Sequence, residues 1–80
     1  MWHVYMLQCS DDTFYTWITT DIERRLSEHN LSEKGAKYTR ARRPVLLVYS
    51  EEFPDRSEAS QEEYRIKQLT RIEKEKLISK

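Results

Sequence analysis

Trp2-His3-Val4-Tyr5-Met6-Leu7-Gln8-Cys9-Ser10-Asp11-Asp12-Thr13-Phe14-Tyr15-Thr16-Trp17-Ile18-Thr19 is the stretch from which the fold is read. Residues 2–9 alternate in polarity and are rich in β-formers, which predicts a strand. Ser10 to Thr13 form a turn cluster, and Phe14 to Thr19 are a second β-prone run, so the two close as a hairpin. Side chains alternate between faces along a strand, so loop length decides which residues meet. An odd loop puts Tyr5, Leu7, Tyr15 and Trp17 on one face, whereas an even loop separates Tyr5 from Tyr15.

Beyond the hairpin, Thr20-Asp21-Ile22-Glu23 has the form of a capping box and opens a helix from about Ile22 to Asn30. Residues 31–43 are polar and basic and hold the only glycine, Gly35. They read as a loop with one helical turn. After Pro44, Val45-Leu46-Leu47-Val48-Tyr49 is an unbroken apolar run, which predicts a strand covered on both faces at the centre of the sheet. Pro54 ends it. Asp55, with Glu58 three residues on, caps a second helix through about Leu69, and Thr70 with Glu73 starts a short third. The expected fold is one α+β domain over residues 1–80, with a three-stranded sheet and the order β-β-α-β-α-α. Helices must cover the sheet, because a hairpin alone is marginal in water.

No run approaches about 18 apolar residues, so no membrane span is expected. Residues 1–9 lack a basic leader and a cleavage site, so no signal peptide is expected either. The single Cys9 has no disulfide partner, which suits a reducing, cytoplasmic setting. Two histidines and one cysteine do not supply the usual ligand set of a structural zinc site. The net charge is zero, but it is segregated. Residues 24–43 carry seven bases (Arg24, Arg25, Lys34, Lys37, Arg40, Arg42, Arg43) against two acids, and residues 44–63 carry six acids against Arg56. Such blocks put a basic face on a neutral molecule, as a polyanion requires, although a solvated surface is the plainer reading.

On the first helix, Ile22 and Leu26 mark the buried stripe, and Arg25 and His29 share one side a turn apart. Taken alone they read as a snorkelling arginine and a histidine favoured by the helix C-terminus. On the second helix, Ala59 and Ile66 define the inner face, and Glu62 and Glu63 flank it equally. A carboxylate at that edge suits Mg²⁺, which binds through one or two carboxylates, waters and phosphate oxygens. Phosphodiester hydrolysis needs an activated water, a cation for the developing charge and help for the leaving oxygen. Tyrosine, arginine, histidine and a metal-bearing glutamate meet that list.

Val4-Tyr5-Met6-Leu7, Tyr15-Thr16-Trp17-Ile18-Thr19-Thr20-Asp21 and Glu23-Arg24-Arg25-Leu26, followed by His29-Asn30, resemble the GIY-YIG nuclease superfamily. Gly35-Ala36-Lys37-Tyr38-Thr39-Arg40, Arg43-Pro44, Asp55-Arg56-Ser57-Glu58-Ala59 and Glu63-Tyr64-Arg65-Ile66-Lys67-Gln68-Leu69 narrow the likeness to its small stand-alone bacterial members. The resemblance implies a DNA endonuclease of repair or recombination using one divalent ion, Mg²⁺ or Mn²⁺. It implies that Tyr5 and Tyr15 are the motif tyrosines, one of them assisting the attacking water. Arg25 would bind the scissile phosphate and His29 would polarise it or relay a proton. Glu63, rather than Glu62, would hold the metal. Lys34, Lys37, Tyr38, Arg40, Arg42 and Arg43 would contact the DNA, which is branched or single-stranded in one version of this reading.

The sequence departs from the pattern at several glycines. Trp17 stands where the second motif ends in glycine, His3 where the first has one, Asp12 at the hairpin turn and Ala41 in the basic loop. An indole at position 17 either fills space a phosphate needs or offers a platform for an unpaired base. A binding or protein-interaction module that has lost cutting is therefore the alternative reading.

Overall fold

Val4, Tyr5, Met6 and Leu7 are four consecutive residues with essentially no exposed surface, and only a strand covered on both faces and flanked on both edges buries every side chain in a row. The computed structural model describes residues 1–32 and 34–79; Glu33, one of the two acids counted in the basic block above, and Lys80 lie outside them. The elements are β1 (Trp2–Gln8), β2 (Phe14–Thr19), α1 (Ile22–Leu31), α2 (Lys37–Arg40), β3 (Leu46–Phe53), α3 (Arg56–Lys67) and α4 (Arg71–Ile78). The sheet is antiparallel with strand order β2-β1-β3. Apart from the single turn α2, this is the expected β-β-α-β-α-α order.

The third strand is not central, which corrects the expectation drawn from its apolar run. It is an edge strand, and β1 holds the middle. The run Val45–Tyr49 misled because it spans two environments. Val45 is buried before the strand begins, while Leu46 and Leu47 are exposed. The strand itself continues through Glu51 and Glu52 to Phe53, with a register irregularity against β1 between Met6 and Leu7.

The hairpin pairs Gln8 with Phe14, leaving residues 9–13 as the loop, an odd number. Leu7 therefore lies opposite Tyr15, and Tyr5 opposite Trp17. One sheet face carries Tyr5, Leu7 and Tyr15, packed with Cys9, Val45, Ile22 and Leu26. The other carries Val4 and Met6 against Ala59 and Ile66 of α3, with Leu77 and Ile78 of α4 at its margin.

Caps fix where the helices start. Asp21, rather than the Thr20 of the expected box, is the N-cap: it accepts from the Arg24 N–H at 3.1 Å, and α1 starts at Ile22 as expected. Asp55 accepts from the Glu58 N–H at 2.8 Å, and Thr70 and Glu73 form the reciprocal box of α4. At the other end of α1, the Asn30 amide bonds both backbone groups of Val45, at 3.1 and 2.8 Å. This ties the entry to β3 onto the helix.

Candidate active site

His29 is the centre of the polar cluster and has no exposed surface. Its Nε2 lies 2.9 Å from the Tyr5 hydroxyl, and its Nδ1 lies 2.9 Å from the Thr39 hydroxyl. The Thr39 hydroxyl donates its single proton to the Ala36 carbonyl at 2.9 Å, so it accepts from Nδ1–H and leaves Nε2 to accept from Tyr5. The Ala36 N–H approaches the same Nδ1 at 3.4 Å, a longer contact that the opposite tautomer would use. Burial lowers the His29 pKa from 6.5 to about 4, reinforced by the nearby Arg25 and Arg43 charges and opposed by Glu28. The ring is neutral at pH 7.

Burial raises the Tyr5 pKa above the ordinary phenol value, and the neighbouring Tyr15 adds to the shift. Tyr15 is half-buried and meets the His29 ring edge-on, with centroids 5.3 Å apart. Its pKa is also raised by burial, with Arg25 opposing the shift and Glu63 adding to it. Both an α1 guanidinium and an α3 carboxylate are therefore felt at this phenol. On its outer side Tyr15 stacks on Tyr38 at 5.9 Å, and the Arg42 guanidinium lies 3.9 Å from the Tyr38 ring centre.

Arg25 donates to Glu28 at 3.0 Å and to the Lys34 carbonyl at 2.8 Å. Burial works against its charge, but the Glu28 carboxylate and the Tyr5 phenol together outweigh this and its pKa is raised. Glu63 and Glu62, inseparable by helical period, diverge in the structure. Glu62 pairs with Arg65 at 2.5 Å, on the side where Tyr49 and Glu51 lie. Glu63 pairs with Lys67 at 2.6 Å, and its charge is felt at the Tyr15 phenol. The Lys67 ammonium also sits 4.3 Å from the ring centre of Trp17, which is 42% exposed. The indole therefore stands at the open side rather than plugging the cluster.

The basic segment divides in two. Lys34, Lys37 and Arg40 are exposed. Arg42 pairs with Asp11 at 2.9 Å. Arg43 donates to the carbonyls of His29 at 2.5 Å, Glu28 at 3.2 Å and Ser32, closing the end of α1. Its guanidinium is engaged in holding the fold. Sequence reasoning missed Thr39 and Lys67. Thr39 gave no signal beyond its neighbours, but the Glu63–Lys67 spacing is the favourable i,i+4 pair and was there to be read.

Among the described residues no group of three or more His, Cys, Asp or Glu side chains converges as a metal cage. The donor set instead fits a water-rich hard cation on one carboxylate. A cation already rests there, since the Lys67 ammonium lies on Glu63.

Comparison with known proteins gives one consistent family. A profile described as the GIY-YIG catalytic domain matches residues 1–76. A UPF0213 protein of Desulfotalea psychrophila is 61% identical over 77 residues, 96% of this chain and 70% of that protein. One of Halobacterium salinarum is 57% identical over 78 residues, 98% of this chain and 100% of its own. The solution NMR structure of the UPF0213 protein BH0048 from Bacillus halodurans has 49% identity and a TM-score of 0.62, covering 99% of this chain and 84% of that one. That of the protein EF2693 from E. faecalis has 48% identity and a TM-score of 0.65, covering 96% and 81%.

Proposed function

The chain belongs to the GIY-YIG catalytic-domain family, and from that membership we propose that it is a divalent-metal-dependent DNA endonuclease. The observation that carries this reading is convergence. Two phenols from paired strands, a guanidinium and an imidazole from α1 and a carboxylate from α3 bear on one another across four elements.

Arg25 is the group for the scissile phosphate, because a guanidinium matches two phosphate oxygens at once. Exchanging Glu28 for a phosphate keeps its charge paired. Of the two phenols, Tyr5 has an acceptor for its own proton. It can take a proton from the attacking water while passing its own to His29 Nε2, which the neutral ring is free to receive. The proton on His29 Nδ1 stays on the bond to Thr39 and keeps the ring in that orientation. Tyr15, on the outer side of the ring and within the field of both Arg25 and Glu63, orients the phosphate between them. Glu63 would hold Mg²⁺ or Mn²⁺, which when bound supplies positive charge for the phosphate oxygens. Lys67 must first release that carboxylate.

The test is nicking of supercoiled plasmid and of branched DNA with Mg²⁺ or Mn²⁺. Wild type is expected to cut, and Glu63→Ala and Arg25→Ala each to lose at least about 100-fold, as removal of a charge-stabilising group does. Tyr5→Phe should fall about 100-fold or more, the range of a lost acid–base group. Cutting retained by Glu63→Ala would refute the assignment. Salt-sensitive DNA binding without cutting would favour the binding module in which Trp17 replaces the motif glycine.

A further inference from the structure

An open groove of about 380 Å³ lies at the end of the sheet where β1 starts and β2 finishes, lined by Trp2, Trp17, Thr19, Arg24, Arg25 and Arg56 among others. Its charge is one-sided. Three guanidiniums come from the first turns of α1 and α3, and the opposing Glu28 carboxylate is already held by Arg25 at 3.0 Å. Arg24 and Arg56 are exposed, and among the described residues neither has a carboxylate partner at ion-pair distance. Two indoles lie among these cations. Trp17 is 42% exposed, and Trp2 is half-buried with the Arg56 guanidinium 5.5 Å from its ring centre.

Clustered cations call for an anion, and exposed flat apolar rings call for flat apolar partners. An acidic peptide satisfies the first demand alone. A DNA duplex offers phosphates but keeps its base faces stacked inside. An unpaired strand offers both together, since stacking platforms in a basic groove bind single strands with little regard to sequence. We propose that this groove binds an unpaired stretch of nucleic acid, with bases stacked on Trp17 and Trp2 and phosphates on Arg24 and Arg56. Arg25 is shared with the candidate active site, so the stretch flanks the phosphate to be cut; that placement rests on the nuclease reading. The groove lies outside segment 34–43, where the sequence placed the nucleic-acid contacts.

The experiment follows tryptophan fluorescence of the full chain at low salt on titration with an oligothymidylate, a blunt duplex of equal phosphate number and polyglutamate. The oligothymidylate is expected to quench emission and to bind more tightly than either competitor. Trp17→Ala should weaken it by about 5- to 150-fold, the range for one lost stacking contact. Arg56→Gln should lower the slope of log affinity against log salt by about 0.7. Both substitutions are at exposed positions, and circular dichroism checks that each variant is folded. Equal binding of duplex or polyglutamate would overturn the proposal, as would wild-type affinity in both variants. Single-strand quenching lost in Trp17→Ala, in a protein that nicks nothing, upholds the groove and removes the nuclease reading. Nicking that depends on Glu63, with oligothymidylate binding indifferent to Trp17 and Arg56, does the reverse.

Discussion

His29 has no exposed surface, and its ring nitrogens are occupied by the Tyr5 and Thr39 hydroxyls. A proton added to Nε2 would have to displace the Tyr5 hydrogen bond inside an apolar shell and face Arg25 and Arg43. The folded pKa of about 4 lies below the ordinary 6.5, so between those values the unfolded chain binds the proton first. This contribution to stability is complete above pH 6.5 and is lost as pH falls toward 4, amounting to about 3 kcal/mol. Urea midpoints measured from pH 7.5 to 4 should fall through this window, and His29→Gln should lower the starting value while flattening the slope. A wild-type midpoint independent of pH from 6.5 to 4.5 would contradict this account. His29 was found in the sequence by its place one turn after Arg25. Its partner Thr39 was not, because a threonine in a basic loop has no periodicity that points it at a ring ten residues away.

Among the connecting elements, two backbone positions behave oppositely. Gly35 is buried against the C-terminal turn of α1, and a Cβ there would stand 2.6 Å from the Glu28 carbonyl oxygen and 2.8 Å from the His29 Cα. Neither neighbour is a side chain that can swing away. Gly35→Ala is expected to cost about 1–3 kcal/mol, the range of overpacking. It should also disturb the contacts of Lys34 and Ala36 with Arg25 and His29. Asp12 has a φ of 70° in the hairpin loop, a left-handed conformation that glycine adopts at no steric cost and aspartate at a modest one. Its side-chain contacts with Gln8 and Arg71 are exposed and contribute little. Asp12→Gly should therefore raise stability by up to about 1 kcal/mol. Chemical denaturation of both variants checks the opposite signs. The absence of glycine at position 12 was visible in the sequence, whereas the close approach that makes Gly35 irreplaceable was not. Caps were legible because the donor and acceptor lie within four residues, and even so the residue that caps α1 is Asp21 rather than Thr20.

As a whole the molecule has little core to spare, since an 80-residue domain has a stability of about 4–12 kcal/mol. Ile66 is wholly buried on the α3 face of the sheet, with Val4, Met6 and Ala59, and lies one turn beyond Glu63. Ile66→Ala is expected to cost about 2–5 kcal/mol, seen as a large drop in the thermal midpoint by circular dichroism. Because that packing holds α3 on the sheet, single-strand binding measured below the new midpoint should weaken as well. From the sequence alone came the kinds and order of the elements, the family pattern and the sharing of one sheet face by Tyr5 and Tyr15, given an odd loop. These are decided by local periodicity, turn chemistry and short spacings, all written along the chain. Tertiary structure alone decided that β1 and not β3 is central, and that Arg43 closes α1. It also decided that the charge of Glu63 and not of Glu62 is felt at Tyr15, and that Trp2, Trp17, Arg24 and Arg56 share a groove. Each of these depends on how separate elements pack, and a hydrophobic period states which side of an element is buried without stating against what.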